Sequence, residues 1–295
     1  LPLFIGGQNF NINQKNINIW ESIPTIRYLI PKILLYKSDS SNTITFNVAI
    51  KSQSPHALAQ KIMKYKMKFD RFLNSESISE AIAAKSNISY TSKAEFDAKI
   101  NNIKKTISKG KLEKVVISNI ISYECSNKFS SSKLLRRLQK NNPSCSIFYY
   151  NFNNNYKYFG ATPELILKKK NNRIKLHALA GSMRKRNNDN EKNKQINTML
   201  HNNDKLNHEH DIVIRGIKES LNKFNLIPSV GSKSIMELKN LLHIKTSISA
   251  ETSKDDDFLN IIDSLCPSAA LSGYPKDSSI KKINELEKYD RGWYS

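Results

Sequence analysis

The chain has 295 residues, 39% of them apolar, enough to bury a core in one large or two modest domains. Its 47 Lys and Arg exceed its 26 Asp and Glu for a formal net charge of +21, which brings nucleic-acid binding into view, because clustered cations release counterions from phosphates. The Lys residues are instead spread along the whole chain beside Asn and Ile, as in Lys168-Lys169-Lys170-Asn171-Asn172; this is the pattern of a solvated surface, and nucleic acid is set aside as the principal partner.

The opening Leu1-Pro2-Leu3-Phe4 has neither an initiator Met nor the basic and apolar regions of a signal peptide, and reads as the interior of a longer chain. Strand-like runs at Leu3 to Ile5, Tyr28 to Tyr36 and Thr43 to Ile50, separated by turn residues, predict an antiparallel sheet. Ser54 to Lys68 has helical spacing at Leu58, Ile62 and Tyr65, and Asn74 to Thr91, poor in large side chains, reads as a linker. Residues 1–90 thus form an N-terminal sheet portion with its linker, and 91–295 a second domain. Ser92-Lys93-Ala94-Glu95 is a capping box, after which Phe96, Ile100, Ile103 and Ile107 keep helical spacing up to Gly110.

From Leu112 the period becomes two. Val115, Ile117 and Ile121 fall on one strand face and Lys114, Val116, Ser118 and Ile120 on the other, so Lys114 points into a partly apolar face. A short helix near Leu134 to Gln139 precedes Cys145 to Phe152, Tyr156 to Ala161, Glu164 to Lys170 and Arg173 to Ala180, read as a four-strand meander joined by Asn-rich turns. Helical spacing returns at His210, Val213, Ile214, Ile217 and Leu221, at Phe258, Ile261, Ile262 and Leu265, and at Ile280, Ile283 and Leu286. Strands followed by segregated helices give an α+β fold. The longest apolar stretches, Leu29 to Tyr36 and Val115 to Ile121, fall short of the roughly 20 residues a membrane helix needs. Cys125, Cys145 and Cys266 are odd in number, widely spaced and form no CxxC pair, which disfavours a disulfide framework or zinc site and points to a reducing cytoplasm.

Four places in this pattern can carry chemistry. Glu164, in Phe159-Gly160-Ala161-Thr162-Pro163-Glu164, sits among apolar neighbours, where burial would raise its pKa as a general acid requires; the same spacing fits an exposed strand carboxylate. Lys114 would become a base if desolvated, and a solvated strand Lys otherwise. Glu209 borders the inward stripe of its helix. Because positions two apart on a helix diverge, His208 and His210 cannot both join Glu209 at one ion, and a single hard carboxylate suits Mg²⁺ with waters and an anionic substrate. Ala180-Gly181-Ser182-Met183-Arg184 ends with backbone N–H groups that can approach an anion.

These segments also form an ordered set: Phe4-Ile5-Gly6-Gly7, Lys114-Val115-Val116, Gly160 to Glu164, Ala180-Gly181-Ser182, Glu209-His210, Leu242-His243-Ile244-Lys245-Thr246, Ser272-Gly273-Tyr274-Pro275 and Arg291-Gly292-Trp293-Tyr294. In this order they resemble the chorismate-utilising enzymes, which include isochorismate, salicylate, anthranilate and aminodeoxychorismate synthases. The resemblance implies two large antiparallel β-sheets packed together with helices outside and the active site in the cleft between. It implies Lys114 as a base toward water, as in isochorismate and salicylate synthases. Anthranilate synthases carry Gln there, and aminodeoxychorismate synthases place a nucleophilic Lys where this chain has Ala180. Isochorismate synthase is the reading it favours, with salicylate synthase, then anthranilate or aminodeoxychorismate synthase component I, as alternatives, and a basic nucleic-acid-binding protein as the non-enzyme alternative.

The implied reaction is Mg²⁺-dependent: Lys114 takes a proton from water attacking C2 of chorismate, and Glu164 donates one to the departing C4 hydroxyl. Glu209 would hold the metal, Gly181 and Ser182 would orient the ring carboxylate, and His243 and Tyr294 would line the substrate pocket. The product could feed a menaquinone or a siderophore route. Where the family often has His-Pro-Thr-Pro-Ala, this chain has Cys266-Pro267-Ser268-Ala269-Ala270, and Ser182 stands for the usual Thr. The family continues past Arg291-Gly292-Trp293-Tyr294 into strands carrying a substrate-binding Arg and a second Mg²⁺-binding Glu. The second domain is therefore expected to be C-terminally truncated, and the 295 residues alone to have little activity.

Overall fold

The computed structural model describes residues 3–14, 16–50, 52, 54–73, 85–125, 130–153, 155–186, 188–253 and 258–294. The chain divides into two compact units, Leu1–Glu80 with Arg291–Tyr294, and Ala81–Asp290. In the first, β1 (Ile5–Gln8) pairs antiparallel with β2 (Ile26–Leu29), β3 (Ile33–Lys37) pairs with β4 (Asn42–Phe46), and α1 spans Pro55–Leu73. The antiparallel expectation holds as two separate two-stranded ladders. Phe10, Trp20, Ile23 and Trp293 are buried here. The Trp293 indole donates to the Pro24 carbonyl at 3.0 Å, and the Arg291 guanidinium lies 4.3 Å from the Phe10 ring centre. Gly292 has φ +55°, and a Cβ there would overlap the Trp20 ring; only glycine meets both conditions.

The second unit begins with β5 (Lys85–Tyr90), α2 (Lys93–Ser108), β6 (Lys114–Val115) and β7 (Ile121–Cys125). Of the expected linker, residues 74–84 lie outside the described residues, while Lys85–Tyr90 is a strand, paired antiparallel with β7. Its partner arrives some 30 residues later, which the local composition cannot announce. The capping box forms as read: Ser92 Oγ accepts from the Glu95 N–H at 3.2 Å, and the Glu95 carboxylate accepts from the Ser92 N–H at 3.1 Å. The strand expected to run from Leu112 to Ile121 is cut to Lys114–Val115 and then resumes at β7. The cause is its partner, β14 (Gly273–Tyr274), which offers only two residues in register with β6. Beyond that ladder the Ser118 N–H turns to the Glu287 carboxylate at 2.6 Å and the Ser118 carbonyl to the Tyr289 hydroxyl at 2.6 Å.

Next come α3 (Ser131–Asn141), the hairpin β8 (Ser146–Asn151) and β9 (Lys157–Thr162), then β10 (Lys168–Lys170), β11 (Arg173–Arg184), α4 (Asp189–His201), α5 (Asp204–Asn222), β12 (Ser229–Glu237), β13 (Leu241–Glu251), α6 (Phe258–Leu265) and α7 (Lys276–Leu286). The expected meander is two ladders. β8 and β9 pair with each other, and the four-stranded sheet runs β10-β11-β13-β12, all antiparallel. Pro163, which lacks an N–H, follows directly on β9, so Glu164 lies in a connection rather than at a strand start. The core of this unit alternates along β11 (Ile174, Leu176, Ala178) and β13 (Leu242, Ile244, Thr246, Ile248, Ala250). It is covered by the stripe Val213, Ile217 and Leu221 of α5 together with Ile261 and Leu265 of α6. Each fully buried Ile or Leu contributes roughly 1.5–3 kcal/mol of transfer free energy. No helix among the described residues is long and apolar enough to cross a membrane.

Candidate active site

The site begins with a defect in the β11–β13 ladder. The register shifts between Ala180 and Ser182, leaving Gly181 as an unpaired bulge residue with φ +75°. A Cβ at Gly181 would come within 2.9 Å of the Leu206 carbonyl oxygen of α5 and 3.1 Å of Ile244 Cδ1, so a side chain is refused both by conformation and by the helix pressed against the bulge. Past the bulge Ser182 stands opposite His243 in the ladder, and Ser182 Oγ and His243 Nδ1 are 2.7 Å apart. Burial lowers the His243 pKa below its usual range.

α5 is capped by Asn203, whose Oδ1 accepts from the Leu206 N–H at 3.0 Å. The helix turns Leu206, His210, Val213 and Ile217 inward, while His208 is exposed and Glu209 half-buried. His210 is fully buried. Its Nδ1 is 3.2 Å from the Ala180 carbonyl, which can only accept, so Nδ1 carries the proton; its Nε2, 2.8 Å from Thr246 Oγ1, accepts from that hydroxyl. Burial, opposed by the Ala180 hydrogen bond, and with Lys233 and Lys114 adding to it against Asp211, holds the ring neutral, with its pKa pushed down to about 4. His210 is thus a satisfied core histidine, while His208 points to solvent, so the two do not meet at one ion.

Lys114 reaches the same region from β6, opposite Tyr274. The Arg215 guanidinium of α5 lies 4.4 Å from the Tyr274 ring centre and pairs with Glu113, while the Tyr274 hydroxyl donates to Glu219 at 2.6 Å. These contacts join α5 to the β6–β14 ladder beside Lys114. Burial lowers the Lys114 pKa, opposed by the carboxylates of Glu209 and then Glu164. Glu164 moves the other way: burial raises it, opposed by a 3.0 Å hydrogen bond from Ser268 Oγ and by the Lys114 charge. Lys114 therefore lies within electrostatic reach of both Glu209 and Glu164, and desolvation drives the Lys toward its neutral form and Glu164 toward its protonated form.

The expected residues form two adjoining groups in one unit: Lys114, Glu164 and Glu209, and the bulge group Gly181, Ser182 and His243. Tyr294 belongs to the other unit, where its N–H donates to the Arg291 carbonyl at 2.9 Å and its side chain is exposed. For a metal, Glu209 supplies one half-buried hard carboxylate, and among the described residues no group of three or more His, Cys, Asp or Glu is gathered for an ion. That donor set fits a hard cation that keeps water and substrate ligands, not zinc. A separate open cleft of about 620 Å³ lies between the end of β11 and α4, lined by Met183, Arg184, Arg186 and Gln195 among others. It contains none of the buried titratable residues and is not the chemical site.

A family model described as chorismate binding enzyme matches residues 1–295, and the chain belongs to that family. It is similar to isochorismate synthase MenF of Haemophilus influenzae, 24% identical over 92% of this chain and 61% of the relative, and to the vibriobactin-specific isochorismate synthase of Vibrio cholerae, 32% identical over 62% of this chain and 47% of the relative. The chain thus spans less than two thirds of these relatives' length. Among solved structures it resembles MenF, the menaquinone-specific isochorismate synthase of Escherichia coli (TM-score 0.83, 19% identity, 99% of this chain and 64% of that one). It also resembles anthranilate synthase component I of Streptococcus pneumoniae (TM-score 0.79, 18% identity, 99% and 67%). At these identities the likeness establishes the fold, an α+β arrangement of helices and antiparallel sheets.

Proposed function

We propose that the chain acts in an isochorismate synthase, converting chorismate to isochorismate in a Mg²⁺-dependent reaction. The observation that carries this reading is the Lys114–Glu164 pair: two desolvated groups near enough to feel each other's charge, shifted in opposite directions toward the protonation states that a base and an acid need before reaction. Lys114 takes a proton from the water that attacks ring C2, the ring double bonds shift, and Glu164 gives its proton to the C4 hydroxyl, which leaves as water. One water enters and one departs, as an isomerisation requires. Ser268 Oγ holds the Glu164 carboxyl by a 3.0 Å hydrogen bond, and backbone N–H groups at Gly181 and Ser182 orient the ring carboxylate. Glu209 would hold Mg²⁺, whose charge would offset that carboxylate when bound. A Lys at position 114, where anthranilate synthases carry Gln, favours water over ammonia as the nucleophile. The test is product analysis with the full-length protein, chorismate and Mg²⁺. Isochorismate alone is expected; salicylate, or anthranilate on adding ammonia, would replace this assignment with the corresponding synthase.

A further inference from the structure

His210 takes no part in the chemistry above, yet from the helix that carries Glu209 it hydrogen-bonds to both strands of the bulged ladder. Its Nδ1–H donates to the carbonyl of Ala180, the residue immediately before Gly181, at 3.2 Å. Its Nε2 is 2.8 Å from the hydroxyl of Thr246, which stands opposite Ala178 on β13, three residues from His243. The ring is fully buried, as is Thr246. The same helix lays the Leu206 carbonyl against the place where a Gly181 Cβ would stand, so the bulge has no room to slide toward α5.

We infer that His210 is a positioning residue that fixes the Gly181–Ser182 bulge relative to Glu209, so that the groups meeting the anionic substrate and the carboxylate meeting the cation keep one spacing. A carbonyl held by a buried donor sets the peptide plane at Ala180–Gly181, and that plane aims the N–H groups that follow. The Thr246 contact prevents the imidazole from rotating away. This rests on the function proposed above only for the identity of the ligands; the geometry is independent of which family product is made.

The experiment compares His210→Leu, His210→Asn and Thr246→Val in the full-length protein. It measures chorismate and Mg²⁺ affinities by calorimetry, KM and kcat by product formation, and the thermal midpoint. His210→Leu is expected to weaken both affinities and raise KM by about tenfold, the scale seen when an outer-shell hydrogen bond is lost. His210→Asn keeps a donor near the Nδ1 position and should recover most of that loss. Thr246→Val, close in shape but lacking the hydroxyl, should cost about threefold, and it reads the same contact if His210→Leu fails to fold. If the variants lower the thermal midpoint while leaving both affinities and KM unchanged, His210 is only a core residue and the inference is overturned. The unmodified protein reports separately on function: a product other than isochorismate overturns the proposed activity, while the affinity pattern still decides the role of His210.

Discussion

At the scale of single residues, the opposite environments of Lys114 and Glu164 give two testable outcomes. Lys114→Ala should lower kcat by about 10²–10⁴-fold, the usual worth of a positioned base, with a far smaller change in chorismate KM, because the contact matures only in the transition state. Steady-state kinetics of the full-length enzyme would check it, and a rise in KM at constant kcat would reassign Lys114 to binding. The pH profile follows from the directions of the shifts. The active form needs Lys114 deprotonated and Glu164 protonated. Activity therefore rises with pH as Lys114 loses its proton, at a pKa below the ordinary Lys value, and falls with pH as Glu164 ionises, at a pKa above the ordinary Glu value. The two macroscopic values belong to the pair. In Glu164→Gln, measured on its residual rate, the decline at high pH should disappear while the rise persists; an unchanged profile would remove Glu164 from the acid role. Lys114, Glu164 and Glu209 stood out in the sequence as candidates only because ordered motifs pointed to them, since strand or helix spacing alone fits a solvated charge equally well. Ser268 and Thr246 were not legible, because their roles exist only through partners 104 and 36 residues away.

At the scale of elements, legibility followed locality. The capping box of α2 needs only four consecutive residues, and it was readable for that reason. Ser92→Ala should lower stability by about 1 kcal/mol, measured by urea denaturation, without altering KM. By contrast, α4 buries only Met199, so its Asn- and Lys-rich face leaves almost no apolar stripe to detect. The two-residue length of β6 is dictated by a partner some 160 positions away, which no local period records. β13 did carry a visible signal, alternate buried residues from Leu242 to Ala250, but the polar Thr246 among them diluted it. The bulge joins element to function. Gly181→Ala must place a Cβ at φ +75° and 2.9 Å from the Leu206 carbonyl, so α5 has to move or the bulge has to refold. A loss of about 1–3 kcal/mol is expected from the backbone alone, accompanied by a raised KM for chorismate. Unfolding curves read beside KM would separate the two, and a stable variant with unchanged KM would show that the bulge does not meet the substrate.

At the scale of the whole molecule, the net charge of +21 is left unexplained by the local chemistry, which is governed by desolvated residues. Charge distributed over a surface acts at a distance: it raises the encounter rate of an oppositely charged ligand and is screened by salt. The proposed substrate carries two carboxylates, so the field of this protein should favour its approach. Screening shortens from ~10 Å at 0.1 M to ~3 Å at 1 M salt, long enough at the lower end to span the distance from surface lysines to a cleft and too short at the upper end. Lys114 and Glu164 are mostly removed from solvent, where added salt screens weakly, so the chemical step should be spared. We therefore expect kcat/KM for chorismate to fall several-fold between 0.1 and 1 M monovalent salt at fixed free Mg²⁺, with kcat nearly constant. Steady-state kinetics across a salt series, with a chloride and an acetate salt compared to exclude specific anion binding, would measure it. A fall in kcat at constant KM would place the salt effect on the chemistry, and no change in either would mean that the positive surface serves solubility alone.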